Sequence, residues 1–164
     1  MLRIFGTASE SIVDGPGLRY AIFTQGCPHM CEGCHNPKSH DINGGYDIET
    51  AELLQQIDKN PLLDGVTLSG GEPILQAKEL QPLAAAVKQR GLSLILYSGY
   101  TFEEIQSIEH GTELLVYTDI LVDGKFDIKK RSLDLTFRGS SNQRIIDVQR
   151  SLEEGCTVLC SFDD

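Results

Sequence analysis

The stretch Cys27-Pro28-His29-Met30-Cys31-Glu32-Gly33-Cys34 constrains this chain more than any other, because it gathers three of the five cysteines into one short loop. The loop follows the apolar run Tyr20-Ala21-Ile22-Phe23-Thr24 and the breaker Gly26, so it leaves a buried strand and presents three thiols to one point. Pro28, Glu32 and Gly33 make the segment a poor piece of core. Thiols that converge from a loop have metal-ligand geometry rather than packing geometry. Three thiolates can hold three corners of a cubane iron-sulfur cluster, and with no fourth cysteine nearby the fourth iron is open to another ligand. Zinc is the competing occupant, with the same thiols and His29, His35, His40, Cys156 or Cys160 completing a closed tetrahedron.

A chain of 164 residues suits one domain with its own core, so residues 1–164 read as a single domain with a short C-terminal tail. Hydrophobic residues make up 40% without a long apolar run, which predicts no membrane span. The opening residues 1–5 are too short for an apolar targeting segment, so the reducing cytoplasm is the expected setting. A formal charge of -10 leaves no basic stripe for nucleic acid, and Lys129-Lys130-Arg131 reads as a solvated turn.

Strand and helix signals alternate along the chain. Residues 2–5 read as a short strand, 6–17 as a loop with Asp14 before Gly15-Pro16-Gly17, and 20–24 as a strand. Arg19 has two candidate partners, Asp14 or a carboxylate of another protein. Residues 38–46 read as loop. Asp47 is placed to cap a helix over 48–60 with Thr50, Leu54 and Ile57 as its inner stripe and Pro61 as its stop. Gly65-Val66-Thr67-Leu68-Ser69 reads as a strand, and Leu80, Leu83, Ala84 and Val87 recur at helical spacing within 77–90, closed by Gly91. A strand at 94–97 leads to Thr101 and Glu104 at capping-box spacing, and a fourth strand spans 119–122. Residues 145–148 form a last short strand, and 157–162 lie on an edge or along a partner. Such alternation requires a mainly parallel sheet with covering helices. Four loops, at 27–34, 69–73, 98–100 and 119–125, then follow successive strands and converge at their carboxyl ends, where open α/β sheets bind ligands.

Beyond these physical signals, Cys27-x-x-x-Cys31-x-x-Cys34 resembles the cluster triad of the radical S-adenosylmethionine enzymes. Val13-Asp14-Gly15-Pro16-Gly17-Leu18-Arg19 and His35-Asn36-Pro37 resemble its glycyl-radical-activating branch, and Ser69-Gly70-Gly71-Glu72-Pro73 matches the motif used against the methionine part of the cofactor. Asp123-Gly124-Lys125 and the run from Phe137 to Arg144 are similar to the activating proteins of anaerobic ribonucleotide reductase. The resemblance implies a partial TIM-like (β/α) barrel of radical S-adenosylmethionine type. It implies a four-iron, four-sulfur (4Fe-4S) cluster on Cys27, Cys31 and Cys34, with S-adenosylmethionine chelating the fourth iron and Ser69, Gly70, Gly71, Glu72 and Pro73 aligning it. The expected chemistry is reductive cleavage of that cofactor, after which the 5'-deoxyadenosyl radical removes hydrogen from a glycine of the partner. That partner would be the large catalytic subunit of anaerobic ribonucleoside-triphosphate reductase, with electrons from a low-potential donor such as flavodoxin.

Ser98, Asp119 and Asp123 are candidate ribose or supporting groups, and each could equally cap a turn. Arg138 could hold a carboxylate bidentately or pair with the acidic surface. Gly33 departs from the commoner superfamily pattern, which has an aromatic residue before the third cysteine, so His35, Tyr97 or backbone contacts are left to meet the adenine. Two alternatives stand beside this reading: a radical enzyme acting on a modified purine precursor, and a zinc-stabilised interaction module.

Overall fold

The computed structural model describes residues 1–29, 31–34, 37–132 and 134–160. Along the chain come β1 (Leu2–Ser11), β2 (Arg19–Thr24), β3 (Tyr46–Ile48), α1 (Thr50–Asp58), β4 (Gly65–Gly70), α2 (Ala77–Gln89), β5 (Ser93–Ser98), α3 (Phe102–Ser107), α4 (Gly111–Leu115), β6 (Ile120–Asp123), β7 (Arg144–Asp147) and α5 (Val148–Glu154). The strands form one sheet in the order β3-β1-β2-β4-β5-β6-β7. Its centre, β2-β4-β5-β6, is parallel, because helices carry the chain back between these strands. Both flanks are antiparallel: β1 against β2 and β3 on one side, β7 against β6 on the other. The result is a partial (β/α) barrel on a mixed sheet.

Period-two alternation assigns the two faces. Tyr20, Ile22, Val66, Leu68, Leu94, Leu96 and Leu121 share one apolar cluster with Leu53 and Ile57 of α1, Leu80, Leu83, Ala84 and Val87 of α2, and Leu114 and Leu115 of α4. Each such side chain stabilises the fold by about 1.5–3 kcal/mol when removed from water. The opposite, concave face carries Phe23, Ser69, Tyr97 and Val122 and is the inside of the partial barrel.

Several sequence expectations shift. β1 runs on to Ser11, where a loop is expected from residue 6, because pairing with the buried β2 suffices for a polar stretch that needs no apolar cover. Asp47 caps no helix; it lies in β3 and pairs with Arg3 at 3.2 Å, while Glu49 occupies the N-cap of α1 without a side-chain bond. The buried stripe of that helix is Leu53 and Ile57, with Leu54 only half buried. Thr101 and Glu104 form the expected capping box, but the helical region divides at Ile108 into α3 and α4. Val148, read as strand, opens α5, whose N-cap Asp147 accepts from the Arg150 backbone. The tail lies along β7, with Leu159 bridging Ile146 and the Cys160 N–H donating to the Ile145 carbonyl; Ser161 and Phe162 fall outside the described residues, as do His35 and Asn36.

Two arginines lock the ends of the central strands. Arg19 is 1% exposed and meets neither candidate carboxylate. Its guanidinium donates to Thr67 Oγ1, the Pro16, Val66 and Ser93 carbonyls and Ser93 Oγ at 2.8–3.1 Å, and burial pulls its pKa down to about 10. At the other end Arg144 donates to the buried Asp123 and to exposed Glu103. Those hydrogen bonds hold the Glu103 carboxyl down to about 2. Replacing Arg144 with Ala is expected to cost about 3 kcal/mol, since Asp123 is left charged in the interior, whereas Glu103→Gln should cost under about 1 kcal/mol. Chemical denaturation of both variants checks this. The Glu103 contribution is complete above the ordinary carboxylate pKa and is lost as pH falls to about 2.

Candidate functional site

Parallel register brings the working loops together. Thr24 stands beside Gly70, and Ser98 beside Asp123, so the chain leaves β2, β4, β5 and β6 at one end of the sheet. A cavity of about 500 Å³ opens there. Cys27, Cys31 and Cys34 line it together with Ser69, Gly70 and Gly71, and Ser98 and Arg138 face it from further round.

The thiol loop is fixed by its neighbours. The Gly26 N–H donates to the Ser39 carbonyl at 2.6 Å and the Cys27 N–H to the His40 carbonyl at 3.1 Å. From the next loop, the Glu72 N–H donates to the Gly26 carbonyl at 2.7 Å. Gly71 must lack a side chain, because a Cβ there would fall 2.4 Å from that same carbonyl oxygen. Gly70 has φ 105° and a Cβ position 2.4 Å from the Thr24 nitrogen. These glycines therefore bring two loops into contact while their backbone faces the cavity.

Glu72 supports the site from behind its wall. It is 0% exposed, and its carboxylate accepts from His29 Nε2 at 2.7 Å, Ser98 Oγ at 2.9 Å, the Gly99 N–H at 2.7 Å and the Ile74 N–H at 3.0 Å. A carboxylate only accepts, so the His29 proton sits on Nε2. The His29 ring also packs edge-on against Tyr100 at 4.5 Å between centroids. One carboxylate thus joins the thiol loop, its own turn and the exit of β5.

Burial pushes the Cys27 and Cys31 thiols up from their ordinary value; the charges of Glu72, Cys31 and Cys34 add to the rise at Cys27, and that of Cys34 adds to it at Cys31. Buried thiols of this kind become thiolates together only with a compensating cation. Among the described residues no three His, Cys, Asp or Glu side chains are drawn around a single-ion point. Cys27, Cys31 and Cys34 all line the one cavity, and three thiols are a donor set that suits an iron-sulfur cluster. His40 Nε2 stands 3.3 Å from Cys34 Sγ, while His29 is committed to Glu72.

The remaining expected residues divide. Pro73 is buried with Glu72. Asp123 is 1% exposed and accepts from the Phe102 N–H and Arg144, so it pins the end of β6. Asp119 is not brought to the cavity: it precedes β6 at the opposite end of the sheet, where it takes Lys88 Nζ at 2.5 Å and the Leu94 N–H at 2.8 Å. Arg138 donates to the Gln143 carbonyl at 2.9 Å. Tyr97, weighed for adenine, does line the cavity and donates its hydroxyl to the Phe137 carbonyl at 2.8 Å. Phe126, Phe137 and Gln143 also line it; the motif match around 137–144 signals the last two, whereas nothing in the sequence singles out Phe126.

A family model described as a 4Fe-4S single cluster domain matches residues 13–146. The anaerobic ribonucleoside-triphosphate reductase-activating protein of Pasteurella multocida (strain Pm70) is 36% identical over 142 residues, which cover 82% of this chain and 90% of that protein. The protein of the same description from Enterobacteria phage T4 is 34% identical over 139 residues, covering 81% and 86%. The pyruvate formate-lyase-activating enzyme of Staphylococcus aureus (strain USA300) is 37% identical over 161 residues, covering 93% of this chain but 63% of the enzyme. Among solved structures, QueE from Escherichia coli matches with a TM-score of 0.48 at 20% identity, over 61% of this chain and 53% of that one.

The Glu72 arrangement generates a prediction. Glu72→Gln keeps the shape but turns one acceptor into a donor facing buried donors, at an expected cost of about 2–3 kcal/mol. Faster hydrogen exchange at the Gly99 amide and reduced iron retention should accompany the lost stability. Unchanged exchange at Gly99 would remove Glu72 as the junction.

Proposed function

Because this chain belongs to the radical S-adenosylmethionine family of glycyl-radical-activating proteins, we infer that it activates an anaerobic ribonucleoside-triphosphate reductase. The observation that carries this reading is the set of three thiols lining the same cavity as Ser69, Gly70 and Gly71. When bound, a 4Fe-4S cluster would supply the electron for reductive cleavage of S-adenosylmethionine, and with it the means to remove hydrogen from a glycine of the reductase's large catalytic subunit.

In this proposal the chain's own residues bind, orient and exclude water. Cys27, Cys31 and Cys34 would hold the cluster. The backbone of Ser69, Gly70 and Gly71 aligns the methionine part, and Ser98 and Arg138 border the remaining space. Glu72, Pro73 and Asp123 act as positioning residues from behind the wall; Asp119 has no part at the cavity. Phe23, Tyr97, Val122, Phe126 and Phe137 make the interior largely apolar, which limits water around a reactive radical. Residues 1–164 serve as one catalytic domain with a short tail. Electrons come from a low-potential donor such as flavodoxin. The formal charge of -10 speaks against nucleic acid as a partner, and no helix among the described residues is long and apolar enough to cross a membrane.

Similarity to a pyruvate formate-lyase-activating enzyme supplies a second candidate acceptor. Anaerobic incubation with S-adenosylmethionine, a low-potential reductant and either purified acceptor separates the two. A glycine-centred signal in electron paramagnetic resonance is expected on the reductase, with its proton coupling lost when the glycine is deuterated and the deuterium recovered in 5'-deoxyadenosine. A radical formed only on the lyase, or cofactor cleavage with neither acceptor oxidised, would reject the reductase assignment.

Replacing Cys27, Cys31 or Cys34 singly with Ser is expected to abolish cofactor cleavage, by at least about a thousandfold, while the fold persists, since the triad sits outside the apolar cluster. Iron and sulfide analysis checks the cause. About four of each per chain in the parent supports the cluster, whereas one zinc per chain supports the interaction-module reading.

A further inference from the structure

Four of the chain's 14 basic side chains, Lys125, Lys129, Lys130 and Arg131, fall in the segment 125–131, which holds one of its 24 acidic ones, Asp127. All four are exposed. Of the remaining cations, Arg3 pairs with Asp47, Lys88 with Asp119, Arg90 with Asp58, Arg144 with Glu103 and Arg150 with Glu154, while Lys38, Lys59 and Lys78 stand singly along the chain. Among the described residues these four cations enter no ion pair, and the Asp127 carboxylate is spent on the Lys129 N–H at 3.0 Å. The chain thus carries its densest run of positive charge in this segment, against a formal charge of -10 for the whole.

The position of that run gives it meaning. The same segment packs against the thiol loop: the backbone of Phe126 hydrogen-bonds the Cys31 thiol, and the Lys125 charge reaches it. A Cβ at Gly33 would fall 2.6 Å from Ile128 Cδ1. Glu32 and Gly33 are exposed here, so the thiol loop itself comes to the surface beside the cations. A second hollow of about 320 Å³ lies between them, lined by Glu32, Lys125, Asp127, Ile128, Lys129 and Asn142, so its two cations are matched by two carboxylates and the excess of positive charge in the segment comes from Lys130 and Arg131. Phe126 lines both this hollow and the main cavity and is the partition between them.

An electron must reach the group held by the thiols without passing through the cavity that the substrate fills. The outer hollow offers that approach, with Cys31 directly behind it. Electron-transfer partners meet over small, charge-steered surfaces. A chain of charge -10 repels an acidic partner elsewhere and admits it at this spot.

We propose that segment 125–131 and the hollow beside Glu32 form the docking surface for an acidic, one-electron donor protein of low potential. This rests on the radical-enzyme reading above. On docking, the donor is oxidised by one electron and the group on the thiols is reduced by one; no bond forms or breaks. Lys129, Lys130 and Arg131 steer and hold the donor, and none of them lines the main cavity.

The test titrates the reconstituted enzyme with oxidised flavodoxin, using calorimetry at two salt concentrations. The expected Kd rises about tenfold between 50 and 300 mM salt. The triple reversal Lys129→Glu, Lys130→Glu and Arg131→Glu should weaken low-salt binding by about a hundredfold and slow reduction by reduced flavodoxin in parallel. Reduction by photoreduced deazaflavin, which needs no docking protein, should keep its parent rate in that variant. Parent-like flavodoxin affinity and rate in the triple reversal would overturn the proposal. So would intact flavodoxin binding with lost reductase binding, which would give this surface to the reductase. A parent enzyme that fails to cleave S-adenosylmethionine even with photoreduced deazaflavin would overturn the radical-enzyme reading itself, so the two failures are distinguishable.

Discussion

The buried carboxylate of Glu72 is the junction on which the site depends. It receives His29 from the thiol loop, Ile74 from its own turn, and Ser98 and Gly99 from the exit of β5. Hydrogen bonds to a charged group contribute about 1.5–3 kcal/mol each, and the greater consequence of removing this acceptor is a set of orphaned donors in a dry interior. A single side chain thereby fixes the separation of three cavity walls. The thiol loop contributes few apolar anchors of its own, so its placement relative to the sheet comes from this carboxylate and from the backbone bonds of Gly26 and Cys27. In a motif matched for its approach to a cofactor, the acidic residue works by holding protein to protein, while the neighbouring backbone faces the cavity.

Much of this was legible in the residues. The apolar runs ending at Thr24, Ser69, Tyr97 and Val122, separated by helical periodicity, require a parallel centre, and a parallel centre aligns the loops that follow. The direction of individual motif side chains was not legible, because it depends on the turn after the strand. Glu72 and Asp123 read as polar groups near a ligand, yet both point into protein and are satisfied there. Asp119 sits a few residues from Asp123 in sequence but the length of β6 away in space, and a strand of four residues suffices to carry it to the other end of the sheet. The antiparallel flanks were hidden for another reason. Thr7, Ser9 and Glu10 in β1 lack the apolar signature of a strand, since pairing with β2 holds this stretch without burial of their side chains.

The two faces of the sheet make different demands on sequence. The helix-covered face accepts only apolar side chains of the right volume, so its residues follow a simple pattern. The concave face has to be closed at its base and along one side by polar chain. Arg19 closes the base, spending its donors on Thr67, Ser93 and backbone carbonyls rather than on a counter-ion. Thr67 in turn donates to the Asp14 carbonyl at 2.7 Å, which ties the Gly15–Gly17 turn beneath the cavity. Such a network has no periodic signature and emerges only once the strands are in register.

Closure along the open side falls to the connection between β6 and β7. A full barrel would place further strands there; this chain places Phe126, Phe137, Arg138 and Gln143 instead. Gln143 braces the segment, accepting from the Gly139 and Ser140 N–H groups at 2.9 and 3.2 Å and donating to the Gly124 carbonyl at 3.0 Å. Phe137 adopts φ 58°, a left-handed conformation that costs a bulky residue about 1–2 kcal/mol. The Tyr97 hydroxyl holds its carbonyl from the floor of the cavity, which offsets part of that cost and turns the aromatic ring to line the site. Strain there is sustained because the strand below over-determines the loop above it. The open side is consequently a braced rim rather than a missing wall.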